Sequence, residues 1–549
     1  MKLISCACVG IAWLALSAFG EPANILEEVM PISGITGGLC VWLEPGSGHA
    51  MLELARGGKF LVHGITSDAG NMTALRQHLV ETGLSGFASV EALNLKTLPH
   101  ADNLVNLLVA EDVSALLAKG LTLTEVLRVL APNGVACLGL PAEQKKFVET
   151  QLALAGIHNA RFETKSRLWL VFEKPRPAGM DDWTHWNHGP DNNPVSHDLI
   201  LERPNQIQWI AGEYWENPRG IWVPGAGSPV SMRSAHGRNY YLIGGTNGGL
   251  LARDAFNGVM LWYRSIKGLD SHFVIASGNE LYIQRNTDQV TPKGAAQRKT
   301  ETEVVALDGA TGKDLRSYGV GGCWTLLLAD GLLLAFDGKK VYAWDALTGV
   351  EKWTNPTVGA ASTPVVAVGR IFFMRGSSGL TCLDLVSGKQ VWQKDVADKN
   401  KIVFAFADKV LLCMDKTRQY TAISGIDGAT AWTYTPPGIP DRYFYVSAGS
   451  IAWPAREALA NTVFAGGLLW IKTTDDRDAR STKGFQSLTG GEAHKWFGLD
   501  PVTGEVRHVL QEPVALEFCC YPIYNTDRFL LSSRPLYFTD WKTETVTRF

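Results

Sequence analysis

The chain has 549 residues, with 51 Lys and Arg against 54 Asp and Glu and a formal net charge of −3. That balance gives no basic field and excludes nucleic acid as a main partner. At 46% hydrophobic and 19% charged residues the composition is that of a globular protein rather than a disordered one, and the length accommodates two or more domains.

Residues 1–20 read as an export signal. Lys2 gives a minimal positive start, Cys8 to Phe19 an apolar stretch too short to span comfortably, and Ala18-Phe19-Gly20 small residues for cleavage before Glu21. No later stretch reaches membrane-spanning length without charges, so the expectation is an exported protein, periplasmic or extracellular, and not an integral membrane protein. Cleavage leaves seven cysteines: Cys40, Cys137, Cys323, Cys382, Cys413, Cys519 and Cys520. Their number is odd and their spacings match no zinc pattern. Cys382 and Cys413 fall on expected inner strands, as buried thiols. The adjacent Cys519 and Cys520 either close a strained ring, which an oxidising compartment permits, or remain separate thiols.

Residues 30–174 alternate between strands and helices. Strands are expected in GLCVWLEPG, KFLVHGI, ASVEALN, NLVNLLVA and GVACLGL, with helices at Ala50 to Arg56, Asn71 to Thr82 and Thr122 to Leu130. Such alternation implies a parallel sheet. The first strand ends in Glu44-Pro-Gly46-Ser-Gly48, a glycine turn opening a helix, where such folds receive a nucleotide-like ligand.

Residues 175–203, EKPRPAGMDDWTHWNHGPDNNPVSHD and its flanks, are rich in Pro, Gly and Asn and read as a linker. They hold Asp181, Asp182, His185, His188, Asp191 and His197, ligand types that suit a metal, but without metal-site spacing on a regular element. The reading adopted is that Trp183 and Trp186 pack on the following domain while the polar atoms satisfy turns. NQIQWIAG then looks like a lone strand that could complete the last unit of a closed array.

From Leu251 to Phe549 one unit is written seven times: an apolar strand, Asp-x-x-x-Gly, and a second strand, often with Trp four residues after the Gly. The clearest copies place Asp254, Gly258 and Trp262; Asp345, Gly349 and Trp353; and Asp384, Gly388 and Trp392. Others put Arg316 or His508 at the Trp position, Ser424 at the Asp position, or Glu544 at the Gly position. Asp or Ser accepts bonds from the turn's own N–H groups, Gly supplies a left-handed residue, and Trp packs against the next unit with an N–H that needs a partner. Four short strands repeated at about 40 to 45 residues predict a β-propeller over 204–549, with seven or eight blades. These motif residues are architecture.

Two resemblances follow. The Glu44-x-Gly46-x-Gly48 turn, LPHADNLVNLLVAED and EVLRVLAPNGVACL make the first domain resemble a class I S-adenosylmethionine-dependent methyltransferase, over roughly 140 residues. The resemblance implies a cofactor pocket at Glu44, Gly46, Gly48 and Asp68. The family's acidic residue at the end of the second strand is here Thr66, with Asp68 two positions late, its fourth-strand Asp is Asn106, and no catalytic signature is found. The domain is therefore expected to be a vestigial, Rossmann-like body, with an active methyltransferase as an alternative. The A-x-D-x-x-T-G-x-x-x-W pattern resembles the PQQ-type repeat of quinoprotein alcohol dehydrogenases and of a noncatalytic propeller lipoprotein of outer-membrane protein assembly. The combination is similar to large exported proteins of environmental bacteria. In the quinoprotein enzymes Ca²⁺ and PQQ sit at the propeller axis beneath a vicinal disulfide, a role the resemblance would give Cys519 and Cys520. That ring comes early in the family's propeller, however, whereas this pair comes late.

The repeat fixes loop placement. Asp-x-x-x-Gly joins third and fourth strands at one face, so second-to-third and blade-to-blade connections lie at the other. The insertions at 285–302, 436–461 and 474–494 should crowd that second face, where binding is expected. The candidates there are Tyr443, Tyr445, Trp453, Arg456, Asp475, Asp476, Arg477, Asp478 and Arg480. The leading expectation is a noncatalytic binding or scaffold protein without cofactor, meeting a protein or small-molecule partner on this face. A PQQ-dependent alcohol or sugar dehydrogenase is the first alternative.

Overall fold

The computed structural model describes residues 25–200, 208–210 and most of 232–548. It leaves out 244–248, most of 267–273, 291–299, 357–363, 415–418, 441–461, 475–494, 512–524, 533–536 and a few single or paired loop positions. The chain divides into two compact units, Met1–Arg176 and Pro177–Phe549.

The first unit is a seven-stranded sheet. In chain order its elements are α1 (Ile25–Ser33), β1 (Gly38–Leu43), α2 (His49–Arg56), β2 (Phe60–Thr66), α3 (Ala69–Glu81), β3 (Ala88–Ala92), β4 (Val105–Ala110), α4 (Val113–Ala118), α5 (Leu123–Val129), β5 (Leu130–Leu140), α6 (Lys145–Leu154), β6 (Arg161–Thr164) and β7 (Leu168–Glu173). The strand order is β3-β2-β1-β4-β5-β7-β6, parallel except that β7 runs antiparallel to both β5 and β6. This is the doubly wound methyltransferase-like arrangement. The five expected strands and three expected helices are present. The short helices α1, α4 and α6 and the closing β6–β7 hairpin carry too little periodicity to stand out in sequence. Both sheet faces are covered: Val41, Leu108 and Leu138 pack on one side, and Trp42, Leu107 and Cys137 on the other. That explains why β4 reads as an unbroken apolar run. Asn106 is a fold residue, since its side-chain oxygen accepts the Leu39 N–H at 2.8 Å and ties β4 to β1.

The second unit is a β-propeller with seven described blades. They span 232–265, 274–317, 325–355, 365–395, 400–434, 439–511 and 525–548; the first five are sheets of four consecutive antiparallel strands, the sixth adds Ile439–Pro440 beside its second long strand, and the seventh is a three-stranded antiparallel sheet preceded by Asn525–Thr526. First strands of neighbouring blades approach one another, while last strands are the exposed ones, so the first strands line the axis.

The turn chemistry is as the repeat implies. Asp345 Oδ1 accepts from the Thr348 N–H at 2.9 Å and hydroxyl at 2.8 Å, and Asp384 does the same with Ser387. The motif glycines are left-handed, φ 66° at Gly388 and 74° at Gly504, and Glu544 in the degenerate copy keeps that conformation at 54°. The Trp residues act between blades. Each indole donates to the carbonyl of the residue after the next blade's Asp or Ser: Trp262 to Gly309, Trp353 to Leu385, Trp392 to Gly425 and Trp432 to Pro501, at 2.9–3.2 Å. Arg316, in the Trp position of the second blade, donates its Nε to Ala346 O at 2.9 Å and so replaces the indole N–H. Trp209, from the segment read as a closing strand, donates to Ala255 O at 3.1 Å in the first blade. It makes the contact a preceding blade would make, although the described residues 208–210 adopt no strand.

The five described cysteines, Cys40, Cys137, Cys323, Cys382 and Cys413, are buried free thiols. Burial raises the Cys382 thiol to about 12, so it is an inert packing group. Cys519 and Cys520 lie outside the described residues, as do residues 1–20, read in the sequence as an export signal.

Candidate functional site

The segment read as a linker is an axial strap. Residues 183–197 touch the seven blades in order. Trp183 O accepts Ser234 N of the first blade and Thr184 O accepts Ala276 N of the second, at 2.8 and 3.0 Å. His185 Nε2 accepts Leu328 N of the third at 3.0 Å. Pro190 O and Asp191 O accept Val366 N and Ala405 N of the fourth and fifth, at 2.8 and 2.9 Å. The Asn193 side chain bonds both backbone groups of Phe464 in the sixth, and Asn192 donates to Val403 O in the fifth. Val195–Ser196 pairs in parallel with Asn525–Thr526 of the seventh. Each first strand is an edge strand with open N–H and C=O groups, and the strap satisfies them one blade at a time.

The strap's polar residues hold its own path. Asp181 Oδ2 accepts from His188 Nε2 at 2.6 Å, Ser196 Oγ at 3.1 Å and His197 N at 2.7 Å. Burial would raise this carboxyl, but those bonds outweigh it and hold it well below the usual carboxylate range. His197 Nδ1 meets Asp527 Oδ2 of the seventh blade at 2.8 Å, a bond that raises the imidazole and lowers the carboxyl. His185 is buried, and burial together with the Arg233 charge lowers it to about 3. The ring is therefore neutral. With Nε2 accepting from the backbone, Nδ1 carries the proton and donates to Thr184 Oγ1 at 2.7 Å. Burial raises Asp191 to about 6. Arg233 is fully buried on the first blade's inner strand, donates to Val274 O at 2.9 Å and lies over the Trp186 ring. The imidazoles and carboxylates thus bond each other and the backbone. Among the described residues no group of three or more His, Cys, Asp or Glu could hold a metal ion. The chemistry of this axis is structural cross-linking.

The loop face is described only at its stems. In the second blade, strands Glu280–Val290 and Thr300–Asp308 extend together into the 285–302 insertion. Ile439–Pro440, at the start of the second insertion, pairs with Thr473–Thr474, at the start of the third. Those two insertions therefore leave the sixth blade side by side. The candidates Tyr443, Tyr445, Trp453, Arg456, Asp475, Asp476, Arg477, Asp478 and Arg480 lie outside the described residues.

In the first unit Glu44, Gly46, Gly48 and Asp68 meet at the carboxyl ends of β1 and β2. Glu44 is left-handed, φ 48°. Its carboxylate accepts from Thr66 Oγ1 at 2.8 Å, Ser67 N at 3.1 Å and the Ser67 hydroxyl, with Lys119 Nζ at 3.5 Å. Burial opposes ionisation, but these partners lower its pKa overall. Asp68 is the N-cap of α3, accepting from Gly70 N at 2.7 Å and Asn71 N at 3.3 Å. Beside them lies a cavity of about 370 Å³ lined by Ser67, Ala69, Ala92, Leu93, Asn94, Leu95 and Lys119. Lys119 and Asn94 were not singled out in the sequence, because neither belongs to a motif.

No helix among the described residues is long and apolar enough to cross a membrane. The family model described as outer membrane protein assembly factor BamB matches residues 337–507, from the third blade into the sixth. No curated protein matches the chain. Among solved structures, the propeller is similar to BamB from Moraxella catarrhalis, at 15% identity over 55% of this chain and 76% of that one, with a TM-score of 0.33. It is also similar to quinohemoprotein alcohol dehydrogenase from Comamonas testosteroni, at 12% identity over 66% of this chain and 72% of that one, with a TM-score of 0.39. The first unit is similar to a SAM-dependent methyltransferase from Aquifex aeolicus, at 18% identity over 27% of this chain and 87% of that one, with a TM-score of 0.23. The chain therefore has the fold of a PQQ-like β-propeller, with the family match confined to residues 337–507, and of a methyltransferase-like doubly wound sheet in its first unit.

Proposed function

We propose that this is an exported, noncatalytic binding or scaffold protein that uses its propeller as a rigid platform. The observation that carries the reading is the axial strap. A cofactor-bearing propeller needs inward-facing carboxylates and donors left over for a cation and a quinone. Here the inner strands direct their backbone groups at residues 183–197, and Asp181 and Asp527 are bonded to imidazoles of the strap. The platform's working surface is the loop face, where the insertions at 436–461 and 474–494 emerge together from the sixth blade. The partner is a protein or small molecule engaged by the aromatic and charged residues of those loops. The first unit serves as a structural body.

Reconstitution tests the reading. The full chain is incubated with PQQ and Ca²⁺, desalted, and assayed with an alcohol or sugar and an artificial electron acceptor. The expected outcome is no retained quinone absorbance and no turnover. Stoichiometric quinone would overturn the noncatalytic reading in favour of a dehydrogenase.

A further inference from the structure

We infer that the acidic-glycine turn of the first unit is a structural clamp and that the site it would build for S-adenosylmethionine rejects that cofactor. The inference rests on reading this unit as noncatalytic, and deepens it residue by residue. A ligand-binding acid must present a free carboxylate oxygen to the ligand. Glu44 instead spends its oxygens on Thr66 and Ser67 at the end of β2 and on Lys119 after α4, and so joins the ends of three elements. Thr66, where an acid would hold the ribose hydroxyls, is fully buried and donates to Glu44. Asp68, two positions beyond Thr66, is engaged as the α3 cap.

The glycines have fold reasons too. Gly48 has a left-handed backbone, φ 73°, where it opens α2, and a Cβ there would stand 2.3 Å from Leu75 Cδ2 of α3, so local conformation and packing both favour glycine without a ligand. Gly46 has open space around its Cβ position but a left-handed backbone, φ 54°.

None of the seven residues lining the cavity beside the turn is acidic, so the lining offers no carboxylate to the sulfonium and ammonium of S-adenosylmethionine. Lys119, its one basic residue and the natural partner for the cofactor's own carboxylate, already reaches Glu44 at 3.5 Å.

Two measurements on the full chain test this separately. Isothermal calorimetry with S-adenosylmethionine, taken to millimolar concentration, should give no binding heat; micromolar affinity would overturn both the inference and the noncatalytic reading of this unit. Amide hydrogen exchange over residues 60–70 reads the clamp itself. Glu44→Gln should lose about tenfold or more in protection there, the scale of a lost charge-assisted bond. Thr66→Val, which removes one donor to the same carboxylate, should lose less, and it serves if the first variant fails to fold. Unchanged protection in both variants would overturn the clamp while leaving the noncatalytic reading standing.

Discussion

At the residue scale the repeat separates two requirements on one glycine. Its left-handed backbone is needed to close the turn, which costs an L-residue about 1–2 kcal/mol. Its missing side chain makes room for the ring from the preceding blade. At Gly388 a Cβ would stand 2.4 Å from Trp353, whereas at Gly349 the nearest atom is Arg316 Cδ at 3.6 Å. Gly388→Ala should therefore destabilise the propeller by more than Gly349→Ala, with the smaller loss close to the backbone term alone. Denaturant midpoints of the two variants check this, and equal losses would mean that the ring gives way freely. The turn half of this argument was legible in the sequence, because Asp, Ser and Gly act within their own hairpin. The docking half was visible only as an indole N–H needing a partner, and Arg316 stood only as a different residue at the Trp position. Its guanidinium performs the indole's bond to Ala346 O, an equivalence that appears only when the next blade is in place.

At the scale of the strap, two buried groups pull in opposite directions with pH. His185 has its folded pKa depressed from the ordinary histidine range to about 3. The unfolded chain therefore binds a proton that the folded chain refuses, and stability falls as pH drops below about 6.5. Asp191 has its folded pKa raised to about 6. Its contribution is full below the unfolded value of about 3.9 and is lost as pH rises through 6. Asp191→Asn keeps an acceptor for Asn193 N and removes the ionisation. It should raise the thermal midpoint of the propeller at pH 8 and leave it nearly unchanged at pH 4. His185→Gln should flatten the acid limb between pH 6.5 and pH 3, while losing some stability throughout because its acceptor for Leu328 N is displaced. Thermal scans of both variants at pH 8, 6.5, 4 and 3 decide the matter, and parallel profiles for wild type and variants would assign the titration elsewhere. Nothing local in DDWTHWNHGPDNNPVSHD announces this role. Pro, Gly and Asn spell a loop, and the partners that turn it into a strap lie up to 330 residues away, as His197 and Asp527 do.

For the molecule as a whole, the strap changes what the boundary between the units means. A flexible linker could be cut with little effect on either body. Here residues 183–197 satisfy edge groups on all seven described blades and supply the parallel partner of Asn525–Thr526. Each such backbone bond contributes on the order of 1 kcal/mol net, and each buried group left open costs more. A propeller of 204–549 made without the strap should therefore unfold at markedly lower temperature than one of 177–549. Adding a synthetic peptide of residues 181–198 in trans should recover part of the difference in a concentration-dependent way, as any ligand of the native state does. Asn193→Ala within that peptide should weaken the rescue, because its side chain alone makes two bonds to Phe464. Equal stability of the two propellers would show that the first strands close the axis by themselves. It would also free the axis for a ligand, and with it the quinone alternative.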